Sequence, residues 1–96
     1  MLAVLVTPTF TKALKKLHAK DKLIVDKAVK IIASTPSVGE EKKGDLTGVF
    51  VYKFKIDKQE ILWAYQQHPD KFSPESVQLL SLGAQENFYT ELKRLN

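Results

Sequence analysis

The sequence predicts an α+β domain: an N-terminal strand and a helical hairpin packed on a small antiparallel β-sheet, in the order β-α-α-β-β-β-α. Three observations carry this. Apolar residues recur at helical spacing from Phe10 to Ile32. Val49 to Ile56 alternates with a period of two. Further short apolar runs, each bounded by turn residues, follow without a long linker, which favours antiparallel neighbours. A chain of 96 residues has room for one domain, so residues 1–96 are read as one unit.

Leu2-Ala3-Val4-Leu5-Val6 reads as a buried strand ended by Thr7-Pro8. Thr7 suits a helix N-cap, and Pro8 suits the first helical position, where its missing N–H costs nothing. Phe10, Ala13, Leu14 and Leu17 give that helix its apolar face, with Lys12, Lys15 and Lys16 mostly opposite. A break around Ala19-Lys20-Asp21 places Asp21 as the cap of a second helix, whose stripe is Ile24, Ala28, Ile31 and Ile32 and whose stop is Pro36. So short a break implies an antiparallel helical hairpin.

Residues 37–45 read as a charged loop. Beyond it, Phe50, Tyr52, Phe54 and Ile56 point to one face of a strand, and Val49, Val51, Lys53 and Lys55 to the other. Asp57-Lys58 forms a tight turn into Ile61-Leu62-Trp63-Ala64-Tyr65, a register that sets Phe54 opposite Ile61 and Tyr52 opposite Trp63. A loop over residues 69–74 leads to the strand Val77–Leu82, which Gly83 ends, and residues 85–95 form a last helix anchored by Phe88 and Leu92.

Composition narrows the function. There is no cysteine, which excludes disulfides, thiolate nucleophiles and cysteine zinc sites. No metal-ligand spacing, glycine-rich phosphate loop or nucleophile triad is present, so neither a metal nor a cofactor is expected. The opening lacks a basic leader and no run reaches membrane-span length, so a soluble cytoplasmic protein is expected. Net charge is +4, the pI is near 9.3, and fourteen of fifteen basic residues are lysine, Arg94 being the exception. Such a balance favours a polyanionic partner, although lysine offers phosphate a point charge and not a bidentate fork.

Several side chains are candidates for chemistry. Lys53 and Lys55 share one strand face and could stabilise phosphate charge; the plain alternative is a solvated hairpin face. Tyr89 could stack on a base or hydrogen-bond a phosphate, Phe88 being the ring that anchors the last helix. His18 fits a surface place near a helix C-terminus, whereas His68, before Pro69 at a strand end, can approach a cleft. Asp57, Glu60 and Glu86 have local structural explanations. Lys42, Lys43, Lys93 and Arg94 extend the positive surface, the last two also suiting a helix C-terminus.

Three stretches carry a family likeness: Phe10-Thr11-Lys12-Ala13-Leu14-Lys15-Lys16-Leu17, Gly44-Asp45-Leu46-Thr47-Gly48-Val49-Phe50-Val51-Tyr52-Lys53-Phe54, and Leu82-Gly83-Ala84-Gln85-Glu86-Asn87-Phe88-Tyr89. With the order of elements they resemble the RelE/ParE superfamily of toxins from toxin–antitoxin pairs, over nearly the whole chain. The last stretch resembles the translation-inhibiting ribonuclease side. The resemblance implies metal-independent cleavage of messenger RNA on the ribosome by attack of a 2′-hydroxyl on the adjacent phosphate. Lys53, Lys55, Gln85 and Tyr89 would be the catalytic positions, and Lys42, Lys43, His68, Lys93 and Arg94 the RNA contacts. In a related branch a histidine stands where this chain has Gln85, and glutamine cannot exchange a proton near neutral pH. The resemblance also implies a cognate antitoxin, with which a heterotetramer is compatible. Two alternatives stay open: a ParE-like, non-enzymatic inhibitor of DNA gyrase, and an inactive homologue that only binds its antitoxin.

Overall fold

The computed structural model describes residues 2–56 and 58–84. Its elements are β1 (Ala3–Val6), α1 (Pro8–Lys15), α2 (Ala19–Ser34), β2 (Glu40–Glu41), β3 (Val49–Ile56), β4 (Gln59–His68) and β5 (Ser76–Ala84). Short 3₁₀ turns at Pro36–Val38 and Gly44–Leu46 flank β2.

The strands form one five-stranded sheet in the order β1-β5-β4-β3-β2. The sheet is mixed and not wholly antiparallel, because β1 pairs with β5 in parallel, Val4 opposite Val77. A strand that leads into two helices before the hairpins returns to the far edge of the sheet, and no local pattern announces that pairing. The loop expected over residues 37–45 contains β2, two residues that pair with β3. The last strand does not stop at Gly83 but runs through Ala84, since both continue the ladder opposite Leu62 and Ile61. The expected helix over residues 85–95 lies outside the described residues.

The hairpin register is as the alternation predicts: Phe54 opposite Ile61, Tyr52 opposite Trp63, and Lys58 in the left-handed region at φ +73°. Phe50, Trp63, Tyr65, Val77, Leu79 and Leu82 meet the helices in the main core, where the Phe10 and Trp63 rings pack tilted by 41° with centroids 4.9 Å apart. Thr7 caps α1 as expected: its Oγ1 accepts from the Phe10 N–H (3.1 Å) and also donates to the Leu80 carbonyl (2.7 Å). Leu80 sits where the β4–β5 register shifts, so this one hydroxyl ties the start of α1 to an irregular point of the sheet.

The second helix starts earlier and sits in a different phase from the one expected. His18, not Asp21, holds the N-cap position, without a side-chain cap bond, and so begins α2 instead of closing α1. Asp21, Val25, Ala28 and Ile32 are buried, whereas Ile24 and Ile31 are exposed. Asp21 stands in the first turn, where the helix dipole favours its charge.

Candidate functional site

The second face of the sheet has an apolar floor. Val49 and Val51 alternate away from the main core and pack with Leu46, Leu62, Ala64 and Leu80. Further along β3 the same face changes character: Lys53 and Lys55 follow at the same parity, and both are exposed. Lys53 stands opposite Leu62, which is fully buried, and Lys55 opposite Glu60. Two ammonium groups therefore rise next to a dry floor, an arrangement that strengthens their field over what open water allows.

Glu40 joins this face from the neighbouring strand, since it pairs with Val51. Its carboxyl is held below its ordinary pKa, first by a hydrogen bond from Lys42 Nζ (3.1 Å), then by the Lys42 charge, with a further contribution from Lys53. An exposed carboxylate that feels Lys53 is a residue the sequence reading missed. Glu40 lies on a two-residue strand, too short to display any period. Ser81, buried beside Ala64, has a hydroxyl without a hydrogen-bond partner among the described residues, and a Cβ at Gly83, beside Leu62, would meet none of them within 4 Å.

The structure thus brings Lys53, Lys55, Glu40 and Glu60 to one region. Lys42 reaches its edge through Glu40, and Lys43 follows it, exposed. His68 shares the face but ends β4 six residues beyond Leu62, roughly 20 Å along the strand. It is therefore not part of the lysine cluster, and its Nε2 lies 3.1 Å from Gln78 Oε1. Gln85, Tyr89, Lys93 and Arg94 lie outside the described residues. Among the described residues no group of three histidines, aspartates or glutamates is placed to hold a metal ion, and no helix is long and apolar enough to cross a membrane.

β2 is held against β3 by a buried phenol. Tyr65, fully buried on β4, donates its hydroxyl to the Pro36 carbonyl (2.6 Å) and accepts from the Gly39 N–H (2.9 Å). Gly39 is required there, because a Cβ would stand 2.6 Å from Tyr65 Oη and 2.9 Å from its Cε1. Burial raises the Tyr65 phenol above its ordinary pKa. The latch sets the chain immediately before Glu40.

Solved structures define the fold. The chain is similar to the toxin in the intact E. coli RelBE toxin–antitoxin complex, with a TM-score of 0.69 and 16% identity over 90% of this chain and 99% of that one. The RelBE2 complex of Mycobacterium tuberculosis gives 0.69 and 21% identity, covering 88% and 98%. The isolated E. coli RelE toxin gives 0.65 and 16%, covering the whole of both chains. These likenesses establish a RelE-type α+β fold. No curated protein matches the sequence. The family model of the ParE-like toxins of type II bacterial toxin–antitoxin systems matches residues 4–93, and the chain belongs to that family. It is a toxin component with a RelE-like fold.

Proposed function

We propose that this toxin cleaves messenger RNA on the ribosome, as a metal-independent endoribonuclease in the cytoplasm. The observation that carries the reading is the pair Lys53 and Lys55, exposed side by side at the end of a dry sheet face with carboxylates on both neighbouring strands. In the proposed reaction the 2′-hydroxyl loses its proton to a base and attacks the adjacent phosphorus. The bond to the 5′-oxygen breaks, and that oxygen takes up a proton. A cyclic phosphate and a free 5′-hydroxyl remain. Lys53 and Lys55 would stabilise the charge that develops on the phosphoryl oxygens. Glu60, opposite Lys55, and Glu40 are the carboxylates positioned to accept the proton. Glu40 is already hydrogen-bonded to Lys42 Nζ, so Glu60, directly opposite Lys55, is assigned that role. Gln85 would orient the phosphate or a base edge, and Tyr89 would stack on a base or donate to the leaving oxygen. Lys42, Lys43, Lys93 and Arg94 would contact ribosomal RNA. The partner that restrains the toxin is a cognate antitoxin, as the RelBE complexes have.

One observation favours a second reading. The matching family is described as ParE-like, and no histidine lies beside the two lysines among the described residues. A toxin that occupies DNA gyrase without cutting nucleic acid needs no proton transfer. Induced expression separates the two: new cuts within translated codons support the ribonuclease, and gyrase-dependent DNA breaks with intact messenger RNA support the inhibitor.

A further inference from the structure

Among the described residues no strand pairs with the outer edge of β1, which closes one side of the sheet. The Ala3 N–H donates to the Glu75 carbonyl (3.4 Å) and the Thr7 N–H to the Leu79 carbonyl (3.1 Å), so the odd positions of this stretch turn their backbone groups toward β5. Alternation then turns the N–H and C=O of Val4 and Val6 outward. All four residues of β1 are exposed, Leu5 at 52% and Val6 at 55%. We propose that this edge pairs with the same edge of a second copy of the chain, antiparallel about a twofold axis through Leu5. The pairing joins two five-stranded sheets into one. It goes beyond the RNA reading and does not depend on it.

The two edges of the sheet are built differently. β2 has two residues, both glutamate, whose carboxylates meet Lys42 and Lys71. A short, charged edge resists the addition of a strand. β1 has neither device: residues 2–11 carry no charge, and Val4, Leu5 and Val6 are all exposed. Each copy has a net charge of +4, so two copies repel one another in general, and an uncharged edge is where they can meet. Because both copies use the same edge, the assembly closes at two. β3, which carries Lys53 and Lys55, lies three strands from β1, roughly 14 Å away, so the pairing leaves both lysines open.

The register follows from the free backbone groups. With Leu5 opposite Leu5 of the second copy, Val4 of each copy stands opposite Val6 of the other. Each such valine pair exchanges two N–H···O=C bonds, so every outward group of β1 is used. Centring the axis on Val4 would set Val6 opposite Leu2, whose N–H already donates to the Ala33 carbonyl (3.1 Å). Centring it on Val6 would set Val4 opposite Pro8, which has no N–H. In the Leu5 register the two leucines form the close, non-hydrogen-bonded pair, with Cα atoms about 4.5 Å apart and side chains in contact on the second face. Val4 and Val6 meet on the other face, the one on which Leu2 packs against the main core.

The test uses the free toxin, whose sequence has no cysteine. Leu5→Cys sets two thiols across the axis within disulfide reach, so mild oxidation should give a cross-linked species of twice 10.9 kDa on non-reducing electrophoresis. In Val4→Cys the two thiols belong to residues roughly 8 Å apart, beyond that reach, and cross-linking should be far slower. Sedimentation equilibrium of the parent should show a monomer–dimer equilibrium, a weak one because a single strand per copy buries little area. Added salt should tighten it by screening the repulsion between the two positive copies. Leu5→Lys should raise the dissociation constant about a hundredfold or more, since two ammonium groups would face one another. Phe72→Lys, at a more exposed side chain away from β1, should leave it unchanged. Leu5 and Phe72 are both exposed, so circular dichroism should show these variants folded. A parent that stays monomeric at every concentration, a dimer that survives Leu5→Lys, or equally fast cross-linking at Val4→Cys overturns the proposal. A dimer that weakens with salt also overturns it, because that marks a charge-paired interface elsewhere.

Discussion

Replacing Tyr65 by phenylalanine removes one oxygen from the protein, and the structure fixes what that oxygen does. The Pro36 carbonyl would keep the Gln67 amide at 3.2 Å, but the Gly39 N–H would lose its acceptor. One donor stranded next to a buried ring costs about 1–3 kcal/mol. For a domain of this size each kcal/mol lowers the melting temperature by about 4–8 °C. Gly39→Ala should cost about 1–3 kcal/mol by overpacking, because its Cβ would collide with Tyr65 Oη and Cε1. In the double variant the clash with the oxygen is gone while the one with Cε1 stays, so the combined loss should be smaller than the sum. The phenol adds a pH signature. Burial raises its pKa, so the native state keeps the proton where the unfolded chain has lost it. This contribution is complete below the ordinary phenol pKa of about 10 and is lost as pH rises through the folded-state value. Urea denaturation of the four proteins at neutral and alkaline pH reads all of these effects. A Tyr65→Phe protein as stable as the parent, or strictly additive losses, would refute the latch.

Other expectations follow from the same geometry. Thr7→Ala should lose about 1–2 kcal/mol in thermal unfolding, since its hydroxyl both caps α1 and holds the Leu80 carbonyl. Ile32→Ala should cost about 2–5 kcal/mol, and Ile24→Ala far less, because Ile32 is buried and Ile24 is exposed; equal costs would contradict the phase of α2. Glu60→Gln should slow RNA cleavage by about 10²–10⁴-fold if Glu60 is the base, whereas Glu40→Gln should have the smaller effect in the same cleavage assay.

The hairpin was legible because alternation and turn chemistry agree from Val49 to Tyr65, and a single slip would have turned Phe50, Tyr52 and Phe54 out of the core. The Thr7-Pro8 start of α1 was legible for the same reason: cap and first position point the same way. The phase of α2 was not, because Leu23, Ile24 and Ile31 are as apolar as the residues that are buried, while Asp21 is acidic and nevertheless inside. The parallel pairing of β1 with β5 joins positions more than seventy residues apart, and no local signal encodes it. At the site, Lys53 and Lys55 could be placed on one face by counting. Glu40 could not, since its closeness to Lys53 depends on a two-residue strand and on the Tyr65 latch.

The most direct measurement is primer extension on an abundant messenger RNA after induction of the wild-type toxin and of a Lys53→Glu/Lys55→Glu variant. Both lysines are exposed, so the variant should fold, which circular dichroism and antitoxin binding can verify. New cuts inside translated codons in the wild type, absent from the folded variant, are the predicted result. Growth arrest with intact messenger RNA, or cutting that survives both charge reversals, would contradict the account.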